Sequence, residues 1–92
     1  MTYSKENKVL LDFLSENKSH WSFQDFKTVF KYRKLKKNSL SHFKYRLSNG
    51  DMADGQISKY KTQIIELCKM VTKRLADEKE ILESIKMHQA VN

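Results

Sequence analysis

Asn38, Ser41, His42, Tyr45 and Asn49 recur at steps of one, three and four residues, with Lys44 and Arg46 beside them. At about 100° per residue these side chains leave a helix on one side, while Leu40, Phe43 and Leu47 share the other. Asn pairs bidentately with adenine, Ser and His hydrogen-bond to base edges or phosphates, and Lys and Arg favour guanine or phosphate. The chemistry open to such a face is recognition of a duplex edge. The expected base-reading set is Asn38, Ser41, His42, Tyr45, Arg46 and Asn49.

The same part of the chain holds the whole net charge. Between Lys27 and Arg46 there are eight basic residues and no acid, whereas residues 1–26 carry −1 and residues 47–92 balance, for a total of +7. Phe30, Tyr32, Phe43 and Tyr45 are interleaved with that stretch, and basic residues alternating with aromatics are a common nucleic-acid footprint. Lys27, Lys31, Arg33, Lys34, Lys36, Lys37 and Lys44 form the expected phosphate-binding set. Two plainer readings accompany this one: Lys-rich faces are often only solvated surface, and Tyr45 could lie along the edge of the core.

Other chemistries lack their residues. There is no glycine-rich phosphate loop, no isolated carboxylate pair and no nucleophile with a base at a recognisable spacing, so no enzyme activity is expected. His20, His42 and His88 are scattered, and with one cysteine no zinc pattern assembles, so neither a metal nor another cofactor is expected. Cys68 falls on an apolar stripe and reads as an inert core thiol.

Composition sets the frame. Ninety-two residues suit one domain, and 39% hydrophobic residues suffice for a packed core. The absence of proline and the presence of only two glycines favour helices with short connections. No apolar run is long enough to span a bilayer and no signal-like segment follows the first residues, so a cytoplasmic protein with no membrane role is expected.

The elements follow from caps and periodicity. Ser4 caps a first helix that ends at Asn17, with Val9, Leu10, Phe13 and Leu14 as its apolar face. Ser22 and Asp25 approximate a capping box, and Trp21 with Phe26 a hydrophobic staple, so a second helix starts there and runs to about Tyr32 or Lys34, with Phe23, Phe26, Val29 and Phe30 inward. Asn38 or Ser39 caps a third helix, closed by Asn49 or Gly50. From about residue 56 to residue 90, Ile57, Tyr60, Ile64, Cys68, Val71, Leu75, Leu82 and Ile85 mark one long amphipathic helix, interrupted by Glu78. A hairpin at Asp54-Gly55 is a second reading of that region. The expected fold is all-α: a helix-turn-helix-like head over residues 1–50 and a long C-terminal helix that closes the core.

The stretch Leu35-Lys36-Lys37-Asn38-Ser39-Leu40-Ser41-His42-Phe43-Lys44-Tyr45-Arg46-Leu47-Ser48-Asn49-Gly50, with the helix before it from Ser22, resembles the turn and recognition helix of bacterial and phage helix-turn-helix or winged-helix regulators. The resemblance implies a sequence-specific regulator of the kind mobile elements encode, binding double-stranded DNA through the major groove. A winged helix would continue into a hairpin, where this chain is expected to continue into a helix. Homodimerisation through the C-terminal helix is expected, because two half-sites supply the specificity that one small head lacks. The alternative is a non-enzymatic inhibitor or adaptor whose basic face docks on an acidic or DNA-binding protein.

Overall fold

The computed structural model describes residues 3–31 and 37–91, with side chains for 3–31 and 40–88. The chain forms α1 (Lys5–Glu16), one 3₁₀ turn (Lys18–His20), α2 (Phe23–Phe30), α3 (Lys37–Ser48), α4 (Asp54–Lys59) and α5 (Lys61–Val91), with no strand among the described residues. The fold is all-α. Asp54 and Gly55 open α4, so the hairpin reading of that region does not hold.

Ser4 caps α1 by accepting from the Asn7 amide at 3.3 Å, and Asn17 closes it through a bond from its amide to the Phe13 carbonyl. The buried face differs from the expected one: it is Asn7, Leu11 and Leu14, with Leu10 and Phe13 packed at its margin and Val9 62% exposed. A polar residue takes a seam position because its amide bonds twice to α4. Asn7 Nδ2 donates to Asp54 Oδ1 at 2.9 Å and to Ser58 Oγ at 2.8 Å, so the face turns away from Val9.

α2 starts where its capping box places it. Asp25 N donates to Ser22 Oγ at 3.4 Å and Ser22 N to Asp25 Oδ2 at 2.8 Å, while Trp21 and Phe26 are both buried. The helix stops short of the expected end at about Tyr32 or Lys34. Lys31 adopts the left-handed region (φ 43°, ψ 21°) while its amide still bonds to the Lys27 carbonyl, which stops the helix at Phe30.

α3 turns Leu40, Phe43 and Leu47 inward. Phe43 lies 5.4 Å from Phe26, 5.1 Å from Phe30 and 5.1 Å from Tyr60 between ring centroids, so one aromatic cluster joins α2, α3 and the α4–α5 junction. The C-terminus of α3 is a Schellman arrangement: Asp51 N bonds to the Arg46 carbonyl and Gly50 N to the Leu47 carbonyl, with Gly50 at φ 69°.

The long C-terminal helix is divided. Tyr60 (φ −109°, ψ 23°) breaks it into α4 and α5, although the Ile64 amide bonds back to the Tyr60 carbonyl and the ladder resumes. Ile57, Ile64, Leu67 and Val71 are fully buried, and with Leu11, Leu14, Phe26, Leu47 and Met52 they form one core to which all five helices contribute. The expected seam omitted Leu67 and extended too far, since Leu82 and Ile85 are exposed.

Candidate nucleic-acid interface

The solvent side of α3 is built by exclusion. Packing of Leu40, Phe43 and Leu47 fixes the rotation of the helix, which leaves Ser41 and His42 exposed and Tyr45 67% exposed. A hydroxyl, an imidazole and a phenol thus line up over little more than one turn, free to hydrogen-bond or stack outward. Tyr45 does not lie along the core.

The remaining members of the expected base-reading set are engaged within the molecule. Arg46 Nε donates to the Asp51 carbonyl at 2.9 Å and Arg46 NH1 to Gln56 Oε1 at 3.2 Å, which binds the end of α3 to the following loop and α4. Asn49 Nδ2 donates to the Tyr45 carbonyl at 2.7 Å, one turn back on its own helix. Asn49 thus satisfies a carbonyl in the last turn of α3 and Arg46 a loop carbonyl, so in this structure both side chains are engaged within the molecule. Asn38 contributes its backbone to α3; its side chain lies outside the described residues.

The phosphate-binding set is divided too. Lys27 and Lys31 are exposed on α2 and at its end. Arg33, Lys34, Lys36 and the side chain of Lys37 lie outside the described residues. Lys44 sits with its ammonium 4.8 Å from the centre of the Trp21 ring, a cation–π contact that holds α3 against the segment before α2. The Trp21 indole is anchored in turn, since Nε1 donates to the Leu14 carbonyl at 3.0 Å.

A second polar cluster, absent from the sequence expectations, lies at the N-terminus of α2. Arg74 NH1 and NH2 each donate to an Asp25 carboxylate oxygen at 2.6 Å, and NH1 also donates to the His20 carbonyl at 2.9 Å. The guanidinium, assisted by the Ser22 capping bonds and opposed by desolvation, holds the Asp25 carboxyl well below the usual carboxylate range. His20 Nε2 lies 3.2 Å from Glu78 Oε2, and its Nδ1 lies 3.3 Å from Ser19 Oγ. Together these residues line an open cleft of about 440 Å³ beside Trp21. The pairings fasten α5 to the 3₁₀ turn and α2. The signal available in the sequence was slight: Arg74 is an arginine among lysines, three residues beyond Val71 on the apolar stripe.

Among the described residues no group of three or more His, Cys, Asp or Glu is placed to hold a metal ion, and no helix is long and apolar enough to cross a membrane. Burial pushes the Cys68 thiol up to about 11. The fold and these sites define an all-α chain with one outward polar-aromatic helix face. Compared with protein-family models, curated proteins and solved structures, the chain matches none.

Proposed function

We propose that the chain is a small sequence-specific DNA-binding protein, a transcriptional regulator of mobile-element type acting in the cytoplasm without catalysis, and that α3 lies in the major groove. The exposed line Ser41, His42 and Tyr45 carries this reading, because it is presented by a helix whose opposite side is locked into the core and whose neighbourhood holds the chain's excess positive charge. Lys27 and Lys31, with Arg33, Lys34, Lys36 and Lys37, are assigned to phosphates. Ser41, His42 and Tyr45 are assigned to the bases, together with Asn38. Arg46, Asn49 and Lys44 are positioning residues: they fix the end and the tilt of the reading helix.

The test is titration of labelled duplexes, selected from a random pool, against unlabelled random competitor. A preferred sequence should emerge, with log affinity falling against log salt at about 0.9 per phosphate neutralised. Changing Ser41, His42 and Tyr45 together to Ala should erase the preference with the helical content unchanged. Lys27→Ala with Lys31→Ala should weaken binding to all sequences alike. Failure of any sequence to compete better than random DNA would remove the proposal.

One observation favours a second reading. With Arg46 and Asn49 hydrogen-bonded within the molecule, the uncommitted set lacks the side chains that pair bidentately with guanine and, apart from Asn38, with adenine. An exposed Tyr on a chain of net charge +7 also suits docking on an acidic protein. Salt-erased, sequence-blind DNA binding is the outcome that selects this alternative.

A further inference from the structure

Arg46 does more than close α3. Its Nε donates to the Asp51 carbonyl at 2.9 Å and its NH1 to Gln56 Oε1 at 3.2 Å, so bonds to the loop and to α4 together fix the plane of the guanidinium. Both acceptors are neutral. Lys8, Lys61 and Arg74 each face a carboxylate, on Asp12, Glu6 and Asp25, whose charge offsets theirs. Among the described residues Arg46 forms no ion pair, not even with the side chain of Asp51, and its NH2 makes no hydrogen bond. The residue is half-buried. The end of α3 therefore presents a fixed cation with its charge intact and a donor group uncommitted.

Its direction decides what it can meet. At about 100° per residue Arg46 stands about 40° from His42, one turn earlier, and about a quarter turn from the middle of the line of Ser41, His42 and Tyr45. A helix about 10–12 Å across fills a major groove about 12 Å wide, so when that line faces the floor a side chain a quarter turn away faces a wall. The walls are phosphates. We propose that Arg46 holds a DNA phosphate at the wall of the groove, and that Gln56 is the positioning residue that aims it. This assignment rests on the DNA-binding reading of α3.

Neutral anchoring suits this use. A guanidinium held by a carbonyl and a side-chain amide keeps the charge that draws a phosphate, and its rotamers are already restricted, so less freedom is lost on binding. A carboxylate in place of the Gln56 amide would hold it at least as firmly and offset its charge, as Asp25 does for Arg74. Gln56→Glu thus separates two roles that Arg46→Ala confounds. It spares a strut and disables a phosphate contact.

The experiment measures the affinity of the full chain for its selected duplex and for random DNA between about 50 and about 200 mM salt, with the thermal midpoint of every variant as the control for folding. Gln56→Glu should melt no lower than the native chain, yet bind both duplexes roughly tenfold more weakly, with the salt slope reduced by about 0.9, the equivalent of one phosphate. Thr62→Glu, which adds the same charge at an exposed site on α5, should cost much less. Gln56→Ala should weaken binding with the slope retained, and should add no further loss to Arg46→Ala. Native affinity in Gln56→Glu, an equal loss in Thr62→Glu, a further loss on adding Gln56→Ala to Arg46→Ala, or a changed base preference in any Gln56 variant would overturn the proposal. A native chain that prefers no sequence would remove the DNA-binding reading itself, a failure visible before any variant is made.

Discussion

Arg74 contacts two parts of the chain that are more than forty residues away from it, the Asp25 carboxylate and the His20 carbonyl, and Asp25 at the same time caps α2. Replacing Asp25 with Ala removes a cap and an ion-pair partner together, and should cost about 1–3 kcal/mol in urea denaturation at neutral pH. The pH dependence has a fixed sign. The folded carboxyl is held below its ordinary value, so its contribution is present above the ordinary carboxylate pKa of about 3.9 and is lost as pH falls from there toward the folded value. The stability difference between the native chain and Asp25→Asn should therefore narrow between neutral pH and pH of about 3. Cys68 offers a second check at this scale. With its thiol raised to about 11 by burial, it should react with a thiol reagent at neutral pH much more slowly than a free cysteine, and reach the free rate only on unfolding.

At the scale of elements, α3 has two sides with separable consequences. Arg46→Ala removes the bonds to the Asp51 carbonyl and Gln56, and should lower the melting temperature even when no ligand is present. Ser41→Ala, His42→Ala and Tyr45→Ala should leave it within about 0.5 kcal/mol of the native stability, since exposed positions rarely matter more. Gly50 lies at φ 69° with an added Cβ 3.5 Å from Ser15 Oγ, so Gly50→Ala should cost about 1–2 kcal/mol through backbone strain with little steric clash. Chemical denaturation of these variants separates residues that hold the helix from residues that it presents. The division matters for function, because loss of binding in Arg46→Ala would report a misplaced helix as well as a lost contact.

Over the whole molecule the chain extends 54 × 30 × 19 Å, and the long dimension reflects a single helix that is buried over its first half and exposed over its second. Such asymmetry predicts uneven protection. Amides of residues 64–71 should exchange slowest, at the rate of global unfolding, while those of residues 80–88 should exchange by local fraying of an unsupported helix. Removing residues 81–92 should leave the melting temperature of the head nearly unchanged, as no described side chain there enters the core.

The sequence by itself determined what local chemistry decides. Ser4 and Ser22 start helices because their hydroxyls accept from amides three residues on, Gly50 ends one because it tolerates a positive φ, and the spacing of Leu40, Phe43 and Leu47 settles which side of α3 is buried. The all-α fold and the outward line of Ser41, His42 and Tyr45 were legible for that reason. Tertiary structure alone decided the rest, because it depends on which elements meet. The left-handed Lys31 ends α2 at Phe30, short of the expected Tyr32 or Lys34, and the bond network from Asn7 to Asp54 and Ser58 rotates α1 until Val9 faces water. Arg46 and Asn49 have the chemistry of base readers, yet a loop carbonyl and a helix carbonyl lie within their reach and claim them. The stripe on α5 resumes beyond Glu78 at Leu82 and Ile85; the extent of the head fixes where burial stops and leaves these side chains exposed.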